Sequence, residues 1–161
     1  MDEETRKHLA ARFLEEAYRV QMKGQYEEAV ELYKKSIESF PTAEAYTFLG
    51  WTYDMMGRTD AAIEECHKAI EVDPTFGNPY NDIGAYLIKK GQLDEAIPWL
   101  ERALEAPRYD SYCYPHMNLG RIYDAKYDWL RAKDEFRKAL QQNPDYTPAR
   151  QAIARIRSRL N

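Results

Sequence analysis

Small residues recur along this chain in three parallel series with one shared spacing. Ala17, Gly50, Gly84 and Gly120 stand 33, 34 and 36 residues apart. Ala29, Ala62, Ala96 and Ala132 keep those intervals, and so do Ser36, Ala69, Ala103 and Ala139. A unit of about 34 residues present four times constrains the fold strongly, because one unit of that size cannot bury its apolar face alone. Stacked copies can. Between the small positions the apolar residues run at helical spacing, as in Leu49, Tyr53 and Met56, so each unit is predicted to be a helix pair. Small residues at fixed places let helix backbones approach closely, and large ones fill the remaining space.

The rest of each copy follows in phase. An aromatic or His opens it, at Phe13, Tyr46, Tyr80 and His116. A Gly interrupts it at Gly24, Gly57 and Gly91, where a left-handed residue would end a helix before a tight turn. Large side chains follow at Tyr33, Cys66, Leu100 and Phe136, and Pro closes three copies at Pro41, Pro74 and Pro144. Pro79 and Pro115 suit the first turn of a helix. Together these residues resemble the tetratricopeptide repeat family over roughly residues 10 to 146. The resemblance implies an all-α, right-handed helical solenoid of four helix-turn-helix repeats, at about 10–42, 43–76, 77–112 and 113–146. Residues 147–161 are predicted to form a C-terminal capping helix, with Thr147 as its cap, Pro148 in its first turn and an apolar stripe of Ala149, Ile153, Ile156 and Leu160. The whole chain, 1–161, is read as one domain.

Departures from the pattern carry their own expectations. Tyr127 stands where the fourth copy should have its turn glycine, so that turn is predicted to differ. Two extra residues in the third copy make the segment from Pro107 to Tyr112 the expected irregular loop. Pro98 falls inside the second helix of repeat three and is expected to bend it. Glu16 replaces an apolar residue, as suits a solvated terminal edge.

Composition narrows the function. The formal net charge is −4, and an Arg-rich C-terminus is offset by Asp2, Glu3 and Glu4, a balance that argues against nucleic-acid binding. No apolar run is long enough to enter and cross a bilayer. The acidic N-terminus does not read as a secretory signal, so a cytoplasmic location is expected. Cys66 and Cys113 fall in non-adjacent repeats, where no disulfide is expected. Cys113–His116 and Cys66–His67 have spacings that zinc ligands could use, but the pairs do not converge, and no metal site or cofactor is predicted. No nucleophile with an oriented base and no phosphate-cradling glycine motif is present, so the chain is read as non-catalytic.

The resemblance implies that the first helices of successive repeats line a concave groove that holds a peptide. Carried onto this sequence, the groove residues are Tyr18, Phe48, Trp51, Asn78, Asn81, Asp82, Tyr114, Asn118 and Arg121. Tyr18, Phe48 and Trp51 have the character of hot-spot anchors on a face the core does not require; local packing against adjacent helices is the competing reading. The asparagines with Asp82 and Arg121 form a polar cluster able to hold a peptide backbone, unless it is simply a solvated face. Family members that grip the acidic tails of heat-shock chaperones use a clamp of Lys, Arg and Asn. The matching places here hold Leu14, Tyr18, Phe48, Asn78 and Asp82, or one repeat along Thr47, Trp51, Asp82, Tyr114 and Asn118. The expected role is a protein-interaction scaffold whose partner supplies a neutral or basic peptide. Self-assembly of the solenoid through its ends, beginning at the edge around Leu9, Phe13 and Glu16, and service as an accessory subunit of an enzyme are the alternatives.

Overall fold

The computed structural model describes residues 1–161. It contains nine helices: α1 (Glu3–Met22), α2 (Tyr26–Ser39), α3 (Ala43–Met55), α4 (Thr59–Val72), α5 (Asn78–Lys89), α6 (Leu93–Glu105), α7 (Cys113–Ala125), α8 (Trp129–Gln142) and α9 (Thr147–Leu160). There are no strands, only an isolated parallel bridge between Phe76 and Arg108. Successive helices pair as α1–α2, α3–α4, α5–α6 and α7–α8, each pair packs on the next, and α9 closes the stack against α8. The protein is an all-α helical repeat solenoid.

The three small-residue series lie where backbones meet. Ala17, Ala29, Ala62, Ala69, Ala96, Ala103, Ala132 and Ala139 are wholly buried. A Cβ placed on Gly84 would sit 2.4 Å from Leu100 Cδ2, and one on Gly120 2.4 Å from Phe136 Cε1. The large residues Tyr33, Cys66, Leu100 and Phe136 fill the space between paired helices and are themselves buried. Ser36, the one polar member of its series, donates to the Ala10 carbonyl at 2.8 Å, which removes the cost of burying its hydroxyl.

One construction ends the first helix of every pair. Gly24, Gly57 and Gly91 have φ of 77°, 79° and 78°. Each glycine amide donates to the carbonyl three residues back, and the following amide reaches five residues back, the double bond of a Schellman ending. Tyr127 was expected to break this pattern and does not. It adopts φ 62°, with Tyr127 N–Asp124 O at 3.0 Å and Asp128 N–Tyr123 O at 2.9 Å. The bonding of the turn and the packing on both sides of it impose the glycine conformation on a tyrosine.

The start of α9 also departs from expectation. Thr147 is the first helical residue rather than the cap; Tyr146 precedes the helix and makes no side-chain capping bond. The Thr147 hydroxyl turns back toward the Asp145 carbonyl at 3.5 Å, while Asn143 Oδ1 accepts from the Asp145 amide at 3.2 Å. The side-chain turn at Asn143 therefore sets the entry to the helix. Pro148 lies in the first turn, and Ala149, Ala152, Ile153 and Ile156 are buried against Phe136 and its neighbours. Helix α6 continues through Pro98, which lies on its exposed face.

Candidate peptide-binding groove

Helices α3, α5 and α7 lie side by side, and the loop after α6 returns across them. Thr47, Phe48 and Trp51 share one face of α3, and Asn78, Asn81 and Asp82 share one face of α5, by the three- and four-residue spacing that stacks side chains on a helix. With Tyr114 of α7 and Tyr109 and Ser111 of the loop they line a pocket of about 410 Å³. Six of the nine residues predicted from the sequence thus meet in one place. The other three flank it. Tyr18 meets Phe48 edge-to-face with centroids 5.6 Å apart. Asn118 Nδ2 donates to Asn81 Oδ1 at 3.0 Å, and Arg121 Nη1 donates to Asn118 Oδ1 at 3.2 Å. Asn81 and Asn118 are buried, so they form a polar relay between α5 and α7 rather than a solvated face.

Phe48 differs from its expected role. Its ring stacks on buried Tyr33 at 6.2 Å and packs against the main apolar cluster, while its other side meets Trp51 at 6.4 Å. It is a core residue with one edge in the groove. Tyr18 is 44% exposed and is the more accessible aromatic.

Sequence reasoning missed Tyr109 and Ser111. The loop was recognisable as irregular, but nothing local gave its direction. Gly77 decides it: Gly77 N donates to the Arg108 carbonyl at 3.1 Å, Arg108 N donates to Thr75 O at 3.0 Å, and a Cβ on Gly77 would sit 2.4 Å from that of Tyr109. Arg108 fastens the loop further, pairing with Glu44 at 2.8 Å and Asp73 at 3.0 Å over the Phe76 ring.

Three carboxylates on α3 and α7 are already neutralised. Asp54 pairs with Lys89 at 3.0 Å, Glu44 with Arg108, and Asp124 with Arg159 at 2.8 Å. Asp82 is in no ion pair. Burial pushes its carboxyl up to about 7; a hydrogen bond from Asn81 opposes this and nearby Asp54 adds to it. The pocket lining therefore holds a single carboxylate, Asp82.

The other chemistry-bearing side chains lie apart from this pocket's floor. Cys66 is buried behind it and burial holds its thiol well above the ordinary range; burial also raises Cys113. Such thiols stay protonated and weakly nucleophilic. His116 pairs with Glu135 at 2.8 Å. A larger trough of about 710 Å³, running past Arg12, Tyr18 and Met22, is bounded by α1 alone and is open surface. No helix is long and apolar enough to cross a membrane.

Profiles of the tetratricopeptide repeat match residues 8–43, 43–76 and 66–97, overlapping ranges that together cover 8–97, more than half of the chain. The chain belongs to the tetratricopeptide repeat family. It is 28% identical to rat sperm-associated antigen 1 over 85% of this chain and 11% of that protein. It is 31% identical to small glutamine-rich tetratricopeptide repeat-containing protein 2 of Mycosarcoma maydis over 50% of this chain and 23% of that one. It is 29% identical to heat shock protein STI1 of Saccharomyces cerevisiae over 50% and 14%. The chain thus spans less than a quarter of each of these relatives. Among solved structures, pilF of Pseudomonas aeruginosa superposes with a TM-score of 0.88 at 22% identity, over 94% of this chain and 69% of that chain. YrrB, a tetratricopeptide repeat protein with an unusual peptide-binding site, gives 0.70 at 21% identity over 89% and 73%. These two likenesses concern the tetratricopeptide fold alone.

Proposed function

We propose that this protein is a non-catalytic interaction scaffold that holds a peptide segment of a partner protein across α3, α5 and α7. The observation that carries the reading is the pocket in which aromatic side chains and the asparagine relay meet. Trp51 supplies an amphipathic anchor. Asn78 brings both a donor and an acceptor, which is what a peptide backbone requires. The groove is largely preformed, so little conformational freedom is lost on the scaffold's side when a segment docks.

The ligand is neutral or basic. None of the residues lining the pocket is a cation, and the nearby Lys89 and Arg108 are committed to carboxylates. The lining therefore does not present the cationic clamp of family members that grip acidic tails. End-to-end self-assembly is opposed by the outer face of α1. Arg12, Glu16, Arg19 and Lys23 occupy the places held in the second copy by Ala45, Leu49, Thr52 and Met56.

Affinity capture with wild type and with a folded Trp51→Ala, Asn81→Ala, Arg121→Ala variant tests the proposal. Partners retained by the wild type and lost by the variant are expected. Equal capture by both would move the site away from the groove. The Trp51→Ala change alone should cost on the order of 2 kcal/mol of binding.

A further inference from the structure

We propose that the pocket between α3, α5 and α7 receives a cationic side chain of the bound peptide, an arginine or lysine, seated on Asp82 within a ring of aromatic side chains. This rests on the peptide-binding reading above and specifies what the peptide must carry. Phe48 and Trp51 of α3, Tyr109 of the returning loop and Tyr114 of α7 supply four aromatic rings around a single carboxylate. Aromatic faces attract cations, and the attraction grows where water is excluded. The volume of about 410 Å³ lies in the ordinary range for ligand pockets.

The charge inventory selects a cation over an apolar anchor. The carboxylates on the neighbouring helices and on the turn before α5 already have basic partners: Asp54 has Lys89, and Glu44 and Asp73 share Arg108, while the exposed Asp110 of the loop accepts from Ser111 Oγ at 3.0 Å. Asp82 has no basic partner. Arg121 of α7 is held on Asn118, and the groups that bear electrostatically on Asp82 are acidic or neutral: Asp54 of α3, Cys66 of α4, Tyr86 of α5 and Tyr109 of the loop. Asp82 is half-buried, and a partly desolvated carboxylate without a counter-charge is unfavourable; an entering guanidinium or ammonium supplies one. Binding should therefore be linked to proton release. Asp82 titrates at about 7, so the cation meets a protonated carboxyl at pH 6 and an ionised one at pH 8. Affinity should rise between these values and level off above.

The test titrates the full chain with N-acetyl-arginine amide and, separately, with N-acetyl-citrulline amide, which keeps the shape and loses the charge. Trp51 and asparagine side-chain resonances report occupancy. The expected result is an arginine probe that binds at least about tenfold tighter than citrulline at pH 8, with the preference shrinking toward pH 6. Asp82→Asn should abolish both the preference and its pH dependence while leaving the helical spectrum unchanged. Equal binding of the two probes by the wild type overturns the proposal, whatever the variant does.

A random-peptide selection on the full chain separates this idea from the reading beneath it. Groove binders that depend on Trp51 and are enriched in Arg or Lys support both. Binders that depend on Trp51 with no such enrichment overturn the cation site and leave the scaffold reading standing. A selection that yields no Trp51-dependent binder overturns both.

Discussion

Asp82 is the residue at which stability and recognition pull in opposite directions. Its carboxyl is raised in the folded protein to about 7, against an ordinary value near 4 when unfolded. The folded state thus holds a proton that the unfolded chain has already released. The associated stability is fully present at low pH, is lost as pH rises from about 4 to 7, and stays lost above. Asp82→Asn removes the titration. It should leave stability nearly unchanged at pH 4 and increase it on the order of 2 kcal/mol at pH 8, less than the full shift implies because Asp82 is only half-buried. Urea denaturation at the two pH values reads the difference, and a gain of equal size at both would contradict it. The groove side chains on α3, α5 and α7 were legible from repeat spacing because a helix face follows directly from residue number. The state of Asp82 was not, since it depends on Asp54 and on burial created by helices far apart in the chain.

Elements in this protein are defined by how their ends are bonded. Four first helices finish with the same pair of backbone bonds, three on glycine and one on Tyr127. A tyrosine in the left-handed region carries a steric cost of about 1 kcal/mol that glycine avoids. Tyr127 is exposed and its main contact is an edge-on approach to Trp129 at 6.5 Å. Tyr127→Gly should therefore raise stability by about 0.5–1 kcal/mol, seen as a higher thermal midpoint; a fall would mean that the ring contact outweighs the strain. This turn shows why residue type misleads where bonding and packing on both sides decide. The sequence predicted a different turn from the missing glycine, whereas the backbone bonds to Asp124 and Tyr123 hold the common one. The loop from Pro107 to Tyr112 is the opposite case. Its irregularity was visible in two extra residues, but its path over Gly77 depends on a contact between two inter-repeat segments.

At the scale of the whole molecule, burial is divided among a large apolar cluster that reaches from α1 to α7, a smaller one formed by α7, α8 and α9, and a minor one of Tyr80, Ala103 and Ala106. Tyr123 packs against the first two and is the principal side chain joining them. Solenoid stability is a sum of units and of the interfaces between neighbours, so damage at one end need not propagate. Ile156 is fully buried in the smaller cluster. Ile156→Ala should cost about 2–4 kcal/mol locally. Amide exchange should accelerate in α8 and α9 while α2 to α5 keep their protection. Uniform acceleration along the chain would show that the stack unfolds as one unit.

Two ion pairs described above, Asp54–Lys89 and Asp124–Arg159, each join residues 35 positions apart, about one repeat. In both the acid comes from the earlier helix and the base from the next helix on the same face. Such a bond works as a key between adjacent modules. A repeat spliced between the second and third helix pairs would have to carry a base to accept Asp54 and an acid to offer Lys89, or leave both edges of the joint with an unmatched charge. The order of the units is thereby written into their seams, and an array in which the fourth pair followed the second would set Asp54 against Ala125 and lose that match at the altered joint.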